Sequence, residues 1–109
     1  MAKDYILLNK NFFKRNDVRI LESLPDGKKY LLFYIQLLIE ASKNDGRLLF
    51  NMDIPYTESM LAAITDTDES TVGEAIKCLK SLGFIRVLEN GTIFISEAMN
   101  TDYSTSKDD

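Results

Sequence analysis

Between residues 57 and 82 the apolar positions fall on two helical stripes separated by a short polar stretch. The first stripe is Met60, Leu61 and Ile64, with Thr57 placed to cap the helix N-terminus. The second is Val72, Ala75, Ile76, Leu79 and Leu82, a spacing that turns one face inward. Asp68 or Ser70 can cap this second helix and Gly83 ends it, while Thr65–Asp68 reads as the turn between the two. Phe84–Leu88 and Thr92–Ile95 are rich in strand formers. The Glu89-Asn90-Gly91 step between them predicts a tight hairpin.

Upstream the pattern is less regular. Tyr5–Leu8 is a short apolar run that predicts a strand. Asn16 or Asp17 is a plausible cap for a helix carrying Val18, Leu21 and Leu24. Pro25-Asp26-Gly27 ends that helix, Gly27 supplying a free backbone angle. A long helix is predicted over Lys28–Lys43. Its apolar residues run almost all the way round, so it is either central to the fold or shared with a second chain. Tyr30, Phe33, Tyr34 and Leu37 are the candidate dimer contacts. Asn44-Asp45-Gly46 is a turn, Arg47–Phe50 a short strand, and Ile54-Pro55-Tyr56 is extended. Residues 1–99 are expected to form one domain, with 100–109 a polar tail or linker stub.

Composition narrows the chemistry. The chain has 109 residues and no His, so it has no imidazole base, no His-assisted nucleophile and no His-ligated zinc. One Cys allows neither an internal disulfide nor a Cys-rich metal cluster, and Cys78 reads as a packed helix thiol. Asp66–Ser70 begins like a calcium loop, but Thr71 stands where its Gly belongs and Lys77 where its bidentate Glu belongs. No Gly-rich phosphate loop is present. These readings predict a non-enzyme without cofactor or metal. The start lacks a leader-type apolar segment, and the Tyr30–Ile39 run is shorter than the roughly 20 residues of a membrane span. A soluble cytoplasmic protein without membrane contact is the expectation.

The formal charge of −4 argues against nucleic acid only until it is resolved by region. Residues 1–54 carry nine basic and seven acidic side chains, whereas 55–100 carry three and seven. Helix, turn, helix and hairpin in this order is the layout of a winged helix-turn-helix, and an α+β, mostly helical fold with a small hairpin wing is predicted. Arg47–Phe50 would complete the small sheet. With the apolar stripe turned inward, the second helix shows Ser70, Thr71, Glu74, Lys77, Lys80 and Ser81 outward. Hydroxyls and Lys suit phosphate, and Thr71 and Glu74 suit base edges; Arg86 and Asn90 sit on the wing. The competing reading is a solvated helix face on a protein-docking module, since Glu69 and Glu74 repel phosphate. Lys10, Lys14, Arg15, Arg19, Lys28 and Lys29 could provide the electrostatic footprint instead of, or beside, this helix.

Three stretches in order, Ile20–Gly27, Ile54–Ala62 and Leu82–Ile85, resemble the N-terminal domain of phage replisome organisers and related plasmid replication initiators of Gram-positive bacteria. The resemblance covers residues 4–98. It implies a DnaD-like winged helix binding double-stranded origin DNA, often as a homodimer, with a separate C-terminal domain recruiting helicase-loading proteins. Protein interaction and dimerisation alone, or transcriptional regulation with the same fold, remain the alternatives.

Overall fold

A computed structural model describes residues 6–100. A 3-10 turn (Phe12–Lys14) leads into α1 (Asn16–Ser23) and α2 (Gly27–Ala41), which runs on into a second 3-10 turn (Ser42–Asn44). β1 (Leu49–Asn51), β2 (Ile54–Pro55), α3 (Glu58–Thr65), α4 (Glu69–Ser81), β3 (Arg86–Val87) and β4 (Ile93–Phe94) follow, and a last 3-10 turn spans Ser96–Asn100. This is the α+β, mostly helical order of a winged-helix-like fold. The 101–109 segment, read from sequence as a tail, lies outside the described residues.

The α1–α2 corner departs from expectation in an instructive way. Leu24 is extended (φ −79°, ψ 158°) rather than helical, because Pro25 crowds the helical conformation of the residue before it. The left-handed position then falls on Asp26 (φ 61°), not on Gly27. Gly27 instead permits close packing: a Cβ there would overlap the Leu21 carbonyl oxygen, so the start of α2 rests directly on α1. Neither Asn16 nor Asp17 caps α1; Arg15 occupies that position, without a side-chain cap bond. The predicted strand at Tyr5–Leu8 is also corrected. Ile6–Leu8 are irregular, with Ile6 and Leu8 packed on the core, and Tyr5 lies outside the described residues.

α2 is central by burial. Leu31, Phe33, Tyr34, Leu37, Leu38 and Ala41 are all inside, so most of the near-continuous apolar pattern packs in the core. Phe33, Tyr34 and Leu37, three of the four expected dimer contacts, are therefore enclosed by the chain's own elements, and Tyr30 is half-buried. Leu32 and Ile39 are the α2 apolar residues left exposed.

The Arg47–Phe50 stretch serves two ladders in succession. Arg47 bridges Phe94 antiparallel, with Leu48 N–H donating to Ile93 O at 2.9 Å, so this end does join the wing hairpin. Beyond it the chain turns away as β1 and pairs with β2, with a register irregularity between Leu49 and Asn51.

Candidate nucleic-acid interface

α3 begins where Thr57 Oγ1 accepts from Met60 N–H at 3.1 Å, satisfying one of the N–H groups a helix start leaves open. Its inner face is Leu61 and Thr65. Ile64, expected inside, is exposed, and Thr65 is buried in its place, its hydroxyl donating to Leu61 O at 2.7 Å. Asp66 takes the left-handed conformation (φ 52°) that reverses the chain.

Asp68 caps α4 with both carboxylate oxygens engaged. Oδ2 accepts from Thr71 N–H at 3.0 Å and from the Ser70 hydroxyl at 2.6 Å, and Oδ1 accepts from the Thr71 hydroxyl at 2.8 Å. These bonds, the Ser70 one foremost, hold the carboxyl down to about 2. A fixed anion therefore sits at the start of α4, and two of the predicted contact hydroxyls donate to it. Val72, Ala75, Ile76 and Leu79 are buried, as the stripe required. Ser70, Glu74, Lys77, Lys80 and Ser81 are exposed, and Thr71 is half-buried. Glu74 and Lys77 approach to 4.0 Å as an i, i+3 pair at the surface. α4 is thus acidic in its first turns and basic in its last. Gly73 faces α3 closely; a Cβ there would stand 3.3 Å from Glu58 Oε1.

α4 ends in a Schellman arrangement. Gly83 (φ 86°) supplies the left-handed residue, with Gly83 N–H bonded to Lys80 O at 3.1 Å and Phe84 N–H to Leu79 O at 2.9 Å. The chain then enters the wing, where Arg86 pairs with Phe94 and Val87 with Ile93. Its loop is Glu89-Asn90-Gly91, the three residues between the two runs. Leu88 O accepts from Gly91 N–H at 2.9 Å and Leu88 N–H donates to Thr92 O at 2.8 Å, enclosing three residues, with Gly91 (φ 88°) as the left-handed one. Asn90 Oδ1 accepts from Thr92 N–H at 3.1 Å, and the residue is exposed. The Arg86 guanidinium lies 5.2 Å from the Phe94 ring centroid, a cation–π contact that fixes the stem while the residue stays exposed.

A profile describing the N-terminal phage replisome organiser matches residues 5–109. The chain belongs to that family. No curated protein and no solved structure matches it. Family membership assigns the chain a replication-related role. Among the described residues, no helix is long and apolar enough to cross a membrane.

Within this replisome organiser domain the N-terminal basic residues divide into two kinds. Lys10, Lys14, Arg19, Lys28 and Lys29 are exposed. Arg15 is not a free cation. Its Nε and Nη2 donate to Asp17 at 3.0 and 2.8 Å, and its Nη1 donates to Glu97 at 2.8 Å. The guanidinium also lies 5.1 Å from the Phe12 ring centroid and 5.9 Å from that of Phe84. Asp17, through this bonding to Arg15, is held below the usual carboxylate range. The sequence offered Arg15 as one basic residue among six. Only its spacing to Asp17 hinted at a pair, and nothing local pointed to Glu97. Cys78 is half-buried, and burial pushes its thiol up, away from a reactive thiolate.

Proposed function

We propose that this replisome organiser domain binds double-stranded origin DNA through α4 and the β3–β4 wing, acting as a pair of chains. The observation that carries the reading is the exposed set Lys77, Lys80 and Ser81 on the last turns of α4, followed by Arg86 and Asn90 on the hairpin. Lys77 and Lys80 neutralise phosphates, Ser81 donates a hydroxyl, and Arg86 with the Asn90 amide reaches the backbone or minor groove. Thr71 and Glu74 meet base edges and Ser70 meets phosphate. Both hydroxyls must first leave Asp68, so the basic end of α4 carries more of the affinity. Lys10, Lys14, Lys28 and Lys29 add to the electrostatic footprint.

Titration of origin-derived duplex at several salt concentrations tests this. Each neutralised phosphate contributes about −0.9 to the slope of log affinity against log salt. Joint replacement of Lys77 and Lys80 by Ala is expected to weaken binding and flatten the slope by about 2. Absence of binding even at low salt overturns the proposal. A second reading, a protein-contact module, is favoured by the exposure of Leu32 and Ile39 on α2 and by the fixed acidic start of α4. It predicts an unchanged slope.

A further inference from the structure

We propose that the β1–β2 hairpin is the surface through which two copies of this chain pair. This rests on the pairing part of the reading above and not on its DNA part. The hairpin concentrates exposed apolar side chains: Phe50 is 57% exposed, Met52 86% and Ile54 47%. The β1 register explains part of this. Leu49 faces Pro55 and Asn51 faces Ile54, so Phe50 is an added residue with no partner across the ladder. Such bulges re-aim a side chain, and here the ring points outward yet is steadied by the Tyr56 ring 6.1 Å away, edge-on. An ordered aromatic beside a fully offered Met is the composition of an interface centre.

Charge selects a second copy as the occupant. The chain carries −4, so two copies repel each other overall. Residues 47–56 hold one cation, Arg47 at the hairpin base, and one anion, Asp53 in the Met52–Asp53 turn, and are neutral as a unit. Both side chains are exposed, and neither makes an ion pair among the described residues. A two-fold contact is self-complementary: whatever one copy's base meets on its partner, the partner's base meets in return. Hairpins packed antiparallel therefore set each Arg47 against the other copy's Asp53, around a centre made by Phe50, Met52 and Ile54. Pro55 has no N–H to offer, so the contact is face packing of side chains rather than an extended ladder.

Sedimentation equilibrium of the chain without DNA reads the pairing directly. Met52→Glu is expected to raise the dimer dissociation constant about thirtyfold or more. Arg47→Asp and Asp53→Arg are each expected to weaken self-pairing about tenfold, and an equal mixture of those two variants to pair as well as the parent. An unchanged far-ultraviolet circular dichroism spectrum of each variant, and an unchanged thermal midpoint at a dilution where parent and variants are all monomeric, certifies the fold, since all three sites are at the surface. A parent dimer that none of the variants disturbs, or a mixture that fails to recover, overturns the hairpin surface while leaving pairing intact. A parent chain that is monomeric at high micromolar concentration overturns both.

Discussion

Arg15 Nη1 donates to Glu97 Oε2 at 2.8 Å, joining the start of α1 to the closing 3-10 turn across 82 positions of sequence. The other Glu97 oxygen accepts from the Tyr34 hydroxyl at 2.6 Å, and the Tyr34 ring meets Phe84 edge-on at 4.9 Å. One carboxylate thus ties α1, α2 and the last turn together beside the entry to the wing. Replacing Glu97 by Ala leaves a buried phenol and one arm of a guanidinium without acceptors. The expected cost is about 3 kcal/mol in urea unfolding, given about 1.5–3 kcal/mol for a hydrogen bond to a charged group. Glu97→Gln keeps the shape and one acceptor oxygen, while its Nε2 is a donor and accepts from neither partner, so it is expected to lose about half as much. A loss in the Ala variant below about 0.5 kcal/mol would show that the bonds contribute little.

Acid should weaken the domain through two identified carboxyls. Asp68 and Asp17 both titrate below their ordinary range in the folded chain, Asp68 at about 2 through Ser70 and Thr71, Asp17 through Arg15. A depressed folded value means the stabilisation is present above the unfolded value of about 3.9 and drains away as pH falls towards the folded one. The thermal midpoint is therefore expected to fall between about pH 4 and 2, and Asp68→Asn to remove part of that fall while preserving a capping side chain. An identical acid profile for the Asn variant would remove Asp68 from the account. No His is present to add a transition nearer neutrality.

The helices with their own start and stop signals were legible in the sequence. The α4 stripe, the Thr57 and Asp68 caps and the Gly83 stop each depend on residues within one turn of one another, and periodicity reads such local chemistry. What escaped was set by distant packing. Phe33, Tyr34 and Leu37 look like an uncovered face only until α1 and the closing turn are placed around them, and Arg15 looks free until Glu97 arrives from the far end of the chain. Ile64 and Thr65 exchanged roles for the same reason, since helical spacing defines a face but not what covers its margin. In the candidate interface, Lys77, Lys80, Arg86 and Asn90 were legible as surface residues. The engagement of Ser70 and Thr71 by Asp68 was not, although the three lie within four positions.

Gly27→Ala is expected to destabilise the domain although Ala is the better helix former. The propensity gain of about 1 kcal/mol is outweighed because the new methyl would overlap the Leu21 carbonyl, where backbone rather than a flexible side chain must move. A net loss of about 2 kcal/mol or more is anticipated from such overpacking, measured by chemical denaturation. A stabilised variant would mean that α1 and α2 can separate freely at this corner.

Thr92 offers the opposite case. It is 1% exposed, and its Oγ1 has no hydrogen-bond partner among the described residues. Thr92→Val exchanges that hydroxyl for a methyl of the same shape and keeps the branching that suits the wing strand. A gain of about 1 kcal/mol is expected, since an unsatisfied buried polar group costs about 1–3 kcal/mol. The midpoint of thermal unfolding should rise accordingly by about 4–8 °C. A lowered midpoint would show that the hydroxyl has a partner in solution, such as a bound water.

Arg15 and Lys77 separate the structural cations from those available to DNA. The guanidinium is already matched by two carboxylates and two rings, so a phosphate would have to displace Asp17 or Glu97 to use it. Arg15→Gln is expected to lower unfolding stability by about 2–4 kcal/mol, as removal of one member of a partly buried charge network does. At temperatures where the variant stays folded, the salt slope of DNA binding should remain that of the parent. Lys77→Ala should do the reverse, leaving stability within about 0.5 kcal/mol and lowering the slope by about 1. If Arg15→Gln flattens the slope while Lys77→Ala does not, the duplex lies against α1 rather than α4, and the interface proposed on α4 and the wing is wrong.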